Sequence, residues 1–403
     1  MVRKLLVGTT LACLCAAFVN PASADDRASA SKKGSLLIYP KVEIKWQRAG
    51  GNQYNVVQDT FLTITNDFPG DVKVHYYFVN GDEPLDAVFC CDPPELVERA
   101  HPGWNWVNCS NTLTDDQSVY WSALTGNPHG CQPFTTLDPG NPPGRPDSDI
   151  NAPAGSRILR GFVVAWAENS DGEEIRWNHL SGTATLVNYA RAAAWEYNAM
   201  AYRALTDDPQ GSATDGVAGQ LLMNGEEFDM NYDKLVLDFF AEGAYVMGSF
   251  ISTDVTLMIP GLDLRQDNDG PVTTKAKYDI WNSNEVRFSG TERCITCWDQ
   301  TLLGDYDAPN HFLVDNLQTD KGKARIDGLG STVCPLSTDT ALVGLEAKFL
   351  SYANGFAAAG SNMVGQGEDT SAAILFDVVE GPDEANNGVS NASGSIIVKP
   401  VRK

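Results

Sequence analysis

Short segments rich in β-branched and aromatic residues recur along the chain, and turn-forming residues separate them. In the first half they include SLLIYPKVEIKW, DTFLTITND, VKVHYYFVNG and RILRGFVVAW. Pro69-Gly70 and Asp171-Gly172 are turn dipeptides at the ends of such segments. Apolar segments bounded by Gly, Pro, Asn and Asp are typical of β-strands.

The second half repeats this pattern in KLVLDFF, DVTLMIP, TTKAKYDIWN, KARIDG and ALVGLEAKFLSY. Ten-residue helical segments do not alternate with these strands, so a parallel α/β sheet is not expected. The pattern predicts an all-β protein with two antiparallel, immunoglobulin-like β-sandwich domains in tandem.

The chain has 403 residues, which is more than one hydrophobic core normally serves. Residues 206–232 lack sustained periodicity and are the best candidate for a linker. We therefore predict a flexible tail over residues 25–35, a first domain over 36–205 and a second domain over 233–403.

The N-terminus has the three parts of a secretory signal peptide. Arg3 and Lys4 precede an apolar run from Leu5 to Val19, and Ala22 and Ala24 form an A-x-A cleavage site. This order predicts a signal peptide over residues 1–24 and a location in the periplasm, at the outer surface or outside the cell. Since no later apolar run reaches about 18 residues, we expect no transmembrane segment after its removal.

Acidic residues outnumber basic ones by 52 to 29, which gives a formal net charge of −23. Nucleic acids and anionic lipids attract clusters of Lys and Arg, so this balance argues against both as partners. The expected partner is a protein or a polysaccharide at the cell surface.

Seven cysteines remain once the signal peptide is removed, and in an exported protein they are candidates for disulfides. An odd number leaves at least one thiol unpaired within the chain. Adjacent Cys90 and Cys91 are expected to pair separately with Cys109 and Cys131. The candidates are Cys90, Cys91, Cys109, Cys131, Cys294, Cys297 and Cys334.

The segment ERCITCWDQ holds Cys294 and Cys297 at C-x-x-C spacing. A redox dithiol needs its first cysteine at a helix N-terminus, whereas the preceding residues look like a strand. On a continuous strand the two α-carbons lie roughly 10 Å apart, too far for a mutual bridge. A structural disulfide with Cys334 is therefore favoured; a local bridge in a turn, a metal site with Cys334 and His311, and a redox pair remain open.

Short catalytic and nucleotide-binding signatures are absent from the sequence, which disfavours an enzyme, although glycosidase carboxylates carry no such signature. No cofactor is predicted. Calcium is the one ion considered, at the weak candidates Asp263, Asp267 and Asp269, whose spacing does not fit an EF-hand loop.

Several tryptophans stand beside Asn or Asp, where flat rings can stack on sugars. Large aromatics on alternating strand positions are more often part of the core. The weak platform candidates are Trp104, Trp106, Trp121 and Trp177.

Four segments resemble a family of uncharacterised secreted Gram-negative bacterial proteins with immunoglobulin-like β-sandwich domains. They are VQDTFLTITNDFPGDVKVHYYFVNG, WNHLSGTATLVNY, ERCITCWDQTLL and NHFLVDNLQTDKGKARIDG. The resemblance implies export and a β-rich fold, and it brings no catalytic residue with it.

The leading hypothesis is a secreted, non-enzymatic structural or binding protein. The alternatives are a polysaccharide-active hydrolase and a redox or metal protein that uses Cys294 and Cys297.

Overall fold

The structure is a computed structural model. It describes residues 27–83, 101–127, 134, 142–149, 152–205, 216–266, 271–288, 290–307, 309–334, 339–353 and 355–378. The predicted signal peptide lies outside these residues. The described chain is almost entirely β-strand, with one short α-helix, α1 (Val314–Leu317), so the all-β prediction is confirmed.

Ten strands belong to the first half of the chain. They are β1 (Leu36–Gly50), β2 (Gln53–Asn66), β3 (Val72–Asn80), β4 (Trp106–Leu113), β5 (Ser118–Ser122), β6 (Arg145–Pro146), β7 (Arg157–Glu168), β8 (Leu180–Asn188), β9 (Ala193–Asn198) and β10 (Met200–Tyr202). They form one sheet in the order β4-β3-β7-β1-β2-β8-β9, with β10 beside β1, β5 beside β2 and β6 beside β7.

The second half supplies the remaining strands. They are β11 (Gln220–Met223), β12 (Asn231–Phe240), β13 (Gly243–Ala244), β14 (Phe250–Met258), β15 (Thr273–Asn282), β16 (Arg287–Phe288), β17 (Glu292–Thr296), β18 (Trp298–Leu302), β19 (Lys321–Leu329), β20 (Val343–Tyr352), β21 (Gly355–Asn362), β22 (Val364–Thr370) and β23 (Ala372–Leu375). One sheet has the order β16-β15-β19-β12-β22 with β17 beside β15, another has β13-β14-β20-β21 with β18 beside β14, and β11 pairs with β23.

The long strand β1 changes partners along its length. Leu36 to Ile38 pair with β10, whereas Lys45 to Gly50 pair with β2, and β7 lies along the other edge. The register shifts between Tyr39 and Val42, where Pro40 has no N–H to donate. The strands of this sheet surround a first core, which includes Leu37, Tyr39, Ile64 and Val163.

A second core separates the two large sheets of the second half. Leu235 and Leu237 of β12 and Ile326 of β19 meet Val255 and Leu257 of β14 there. Alternate residues of each strand point inward, as expected for paired antiparallel sheets.

Between these two cores lies a third, which both halves of the chain build. Ile38 of β1 and Trp166 of β7 pack in it with Leu221, Met258 and Trp298. Strands β1, β3 and β7 are therefore buried on both faces, which explains their nearly continuous apolar sequences. Trp166 lies 4.6 Å from Phe376, measured between ring centroids. Strand β11, inside the segment predicted as a linker, also contributes to this shared core.

A buried group of charges crosses the same junction. Lys41 on β1 is 2% exposed, and its Nζ lies 3.1 Å from Oδ1 of Asp254 on β14 and 3.7 Å from Oε2 of Glu43. Gln300 on β18 donates Nε2 to Glu43 Oε2 at 2.7 Å and to Asp254 Oδ2 at 2.8 Å. Because buried charges are tolerated only when paired, the first sheet and β14 are tied together here.

Trp298, from the second half of the chain, also binds β1 at this junction. Its indole Nε1 donates to the Pro40 carbonyl at 2.7 Å, and the Arg160 guanidinium lies 5.7 Å from the ring centre. A β-carbon on Gly81 would come within 2.3 Å of the indole. Glycine at position 81 therefore makes room for this side chain.

The buried charges predict an acid-sensitive fold. Burial by itself raises the pKa of Glu43, but Lys45, Lys41, Gln300 and Arg160 together outweigh it and lower this pKa from 4.5 to about 2. Because the pKa in the folded state is the lower one, ionised Glu43 stabilises the fold above pH 4.5 and loses this effect as the pH falls toward 2. We expect urea unfolding at a series of pH values to show a loss on the order of 3 kcal/mol from this group across that window.

Glu43→Gln should remove this part of the acid dependence. The matched control is Glu292→Gln, which neutralises a half-exposed partner of Lys275 and should leave the pH profile unchanged. An identical profile in Glu43→Gln and the unmodified protein would contradict the prediction.

Candidate functional site

The most exposed apolar surface we identify in the described residues is the hairpin that joins β13 to β14. We call the following four side chains, with their exposed fractions, the apolar tip: Tyr245 (38%), Val246 (60%), Met247 (101%) and Phe250 (43%). Contiguous exposed apolar side chains of this kind mark interaction surfaces.

The turn that carries the tip is fixed by its own hydrogen bonds. Ser249 donates its N–H to the Val246 carbonyl at 3.2 Å and its hydroxyl to the same oxygen at 2.6 Å. The Tyr245 N–H donates to the Ser249 carbonyl at 2.8 Å. Met247 has a φ of 58°, a left-handed conformation that is uncommon for such a side chain. The tip is thus held in one shape rather than left to collapse.

The base of the tip also contacts the first half of the chain. The Arg191 guanidinium lies 4.5 Å from the ring centre of Phe356 on β21, and its NH1 donates to the Ser351 hydroxyl at 3.4 Å. Both halves therefore support the end of the β14–β20–β21 sheet that carries the tip.

The C-x-x-C segment forms a disulfide, and not between its own two cysteines. Cys294 on β17 is bonded to Cys334, with 5.5 Å between their α-carbons. Among the alternatives for this segment, the structure therefore shows the bridge to Cys334. Cys109 is disulfide-bonded as well, while Cys90, Cys91 and Cys131 lie outside the described residues.

Cys297 is a free, buried cysteine at a corner of the chain. Its φ is 54°; its N–H donates to the Val272 carbonyl at 2.8 Å, and its carbonyl accepts from Ile259 at 2.9 Å. Strand β17 pairs with β15 and β18 pairs with β14, so the chain passes from one sheet to the other at this residue. The expectation of one continuous strand through the C-x-x-C is wrong, because the strand breaks at Cys297.

A thiol and an imidazole meet in a small pocket at this corner. Cys297 Sγ lies 3.6 Å from Nδ1 of His101, which also contacts the Pro102 carbonyl at 2.6 Å. Burial raises the pKa of Cys297 to about 12 and lowers the pKa of His101. Both groups are therefore neutral near pH 7, and the pair lacks the thiolate that nucleophilic or redox chemistry requires.

The aspartates considered for calcium are only partly described, since Asp267 and Asp269 lie outside the described ranges. Asp263 lines the same pocket; its Oδ1 accepts from the Arg265 N–H at 3.2 Å and lies 3.7 Å from Arg265 Nε. In the described part of the chain, no cluster of three or more His, Cys, Asp or Glu residues is arranged to hold a metal ion. Nor does any helix in that part have the length and apolar character to span a membrane.

The four platform candidates lie in the interior. Trp104, Trp106, Trp121 and Trp177 are between 1% and 5% exposed. Trp121 packs at 4.2 Å from Phe78, and Trp177 Nε1 donates to Asn66 at 2.9 Å. A sugar-binding platform needs an open ring face, so the structure corrects that expectation: these rings build the core.

Sequence reasoning missed the apolar tip. The signal was the stretch GAYVMGSF (Gly243 to Phe250), where apolar residues occupy a hairpin loop that normally carries polar ones. It also missed Lys41, whose charge is buried near the middle of β1 beside that of Glu43.

The Cys297 thiol should be inert in the folded protein. Because burial holds its pKa near 12, we expect no iodoacetamide labelling of Cys297 at pH 8 in the native protein and full labelling in urea. Peptide mass spectrometry distinguishes this cysteine from the others. Rapid native labelling at Cys297 would contradict the prediction and would revive the redox alternative.

No protein-family model matches the sequence, and no curated protein matches it significantly. Among solved structures, the chain is similar to Thermotoga maritima 1070, with 11% identity and a TM-score of 0.19, over 38% of this chain and 97% of that one. It is also similar to the CupB6 tip adhesin from Pseudomonas aeruginosa, with 8% identity and a TM-score of 0.10, over 85% of this chain and 95% of that one. These scores are too low to support an argument about fold or function.

Proposed function

We propose that this protein is a secreted, non-enzymatic binding protein of the periplasm or cell surface, built from two immunoglobulin-like sandwiches, and that its apolar tip binds a protein partner. The observation that carries the proposal is Met247, which is fully exposed at the apex of a hydrogen-bonded turn. A folded protein keeps such a residue in water at a cost, and covering it on binding recovers that cost.

The chemistry of the tip favours a protein over a polysaccharide. Sugar-binding sites combine flat aromatic faces with polar groups that reach the hydroxyls. The apex here is formed by the aliphatic side chain of Val246 and the thioether of Met247. A thioether adapts to irregular apolar pockets, which is the kind of surface that a protein partner offers.

The rest of the structure suits a scaffold better than a catalyst. The cysteine pair that motivated the redox alternative is divided between a disulfide and a buried neutral thiol. The disulfides suit an exported protein, and the net charge of −23 disfavours binding to anionic lipid.

Photo-methionine, a diazirine analogue of methionine, tests the proposal in cells that produce the protein. Met247 is fully exposed, whereas Met200, Met223, Met258 and Met363 are at most 5% exposed and Met230 is partly buried. Illumination should therefore link the chain to a partner protein mainly through position 247, as peptide mapping would show. Val246→Asp places a charge in the contact and should reduce this adduct at least tenfold.

Val333→Asp is the matched control, because Val333 is 78% exposed and its neighbour Cys334 is bonded to Cys294 on β17, which pairs with β15 and not with β14. It should leave the adduct unchanged, and both variants should keep the thermal stability of the unmodified protein. An adduct equally abundant in Val246→Asp, or links to lipid or polysaccharide alone, would refute the proposal.

A further inference from the structure

One face of the first sheet is open to solvent and nearly free of charge. Strands β5, β2, β8 and β9 lie side by side there in that order. Leu62 and Ile64 of β2 and Ala184 and Leu186 of β8 point into the first core, so the residues that alternate with them point outward. We call the following outward side chains the hydroxyl face: Thr63 and Thr65 of β2, Tyr120 of β5, Thr183 and Thr185 of β8, and Asn198 of β9.

The strand register places these side chains in rows across the sheet. Thr63 pairs with Tyr120 on one side and with Thr183 on the other, and Thr183 pairs with Asn198. Since neighbouring strands lie about 4.8 Å apart, this row spans about 14 Å, and the next row along the strands is roughly 7 Å away. An elongated ligand can therefore contact several of these side chains at once.

The central hydroxyls of the face are available to a ligand. Within the described ranges, the hydroxyls of Thr63 and Thr183 make no hydrogen bond to another protein group, and both residues are partly exposed. The Thr65 hydroxyl, by contrast, lies 2.6 Å from that of Ser118. A threonine hydroxyl can donate one hydrogen bond and accept two, which matches the hydroxyl groups of a sugar.

Aromatic rings accompany these hydroxyls. Tyr120 is 65% exposed, and Phe61, which pairs with Thr185, is partly exposed in the row beside Thr63. Sugar-binding sites combine aromatic faces with polar groups that reach the sugar hydroxyls. The buried tryptophans offer no open ring, whereas the hydroxyl face presents both elements on one surface.

The lack of charge narrows the class of ligand. Charged residues make up 20% of the whole chain, but strands β2, β5, β8 and β9 contain only Asp59, which is buried, and Glu196. The Glu196 carboxylate accepts from the Thr185 hydroxyl at 3.5 Å. Because these strands have no Lys or Arg, they cannot pair with an anionic polymer.

We propose that the hydroxyl face binds an uncharged polysaccharide, with Tyr120 stacked on a sugar ring and Thr63 and Thr183 bonded to sugar hydroxyls. A protein partner would need larger apolar or arginine anchors than a threonine-rich face supplies. The apolar tip lies on a different sheet, the one that contains β13 and β14. The two surfaces can therefore bind different partners, and this proposal does not depend on the proposed function of the tip.

Native electrophoresis of the full chain through gels that contain dextran, galactomannan or β-glucan tests the proposal. We expect at least one of these uncharged polysaccharides to retard the protein, and alginate, which is anionic, to have no effect. Tyr120→Ala should weaken binding about tenfold, as expected for the loss of one stacked ring. Thr63→Val keeps the shape of the side chain without its hydroxyl and should weaken binding severalfold.

Tyr352→Ala is the matched control, because Tyr352 is 47% exposed and lies on β20, which pairs with β14 and β21. It should be retarded as the unmodified protein is, and all three variants should keep its melting temperature. The proposal fails if none of the uncharged polysaccharides retards the protein or if alginate retards it equally. Equal binding by Tyr120→Ala and Tyr352→Ala would also overturn it.

Discussion

The buried ammonium of Lys41 is the interaction on which the architecture depends. It lies on a strand covered on both faces, and its closest carboxylate, Asp254, comes from the other half of the chain. An unpaired charge at this depth would strongly destabilise the fold. Lys41 therefore ties the first sheet to β14, and the same junction contains the apolar core that β1, β7, β11 and β23 share.

Strand β14 connects this junction to the candidate binding surface. It begins at Phe250 in the apolar tip, carries Asp254 at its centre and ends at Met258, which pairs with Trp298. A hydrogen-bonded turn at one end and a buried ion pair in the middle hold the strand in place. The tip is therefore presented from a rigid base, which reduces the entropy lost when a partner binds.

The sequence predicted the features that depend on local patterns. Its β-branched and aromatic segments located the strands β1, β2, β3, β7, β12, β14, β15, β19 and β20. Features set by distant residues were not predictable. The burial of Lys41 requires Asp254 and Gln300, more than 200 positions away, and the break at Cys297 requires two sheets that meet there. Trp104, Trp106, Trp121 and Trp177 were considered as a platform because the residues that cover such rings, as Phe78 covers Trp121, are distant in the sequence.

The central claim, that a buried charge joins the two halves into one cooperative unit, is tested most directly by calorimetric unfolding of Lys41→Met. We predict a single transition for the unmodified protein and a loss of about 3–5 kcal/mol in the variant. Lys323→Met, which breaks the exposed pair with Glu285, should cost less than about 1 kcal/mol. Two separate transitions in the unmodified protein, neither of them shifted by Lys41→Met, would contradict the claim.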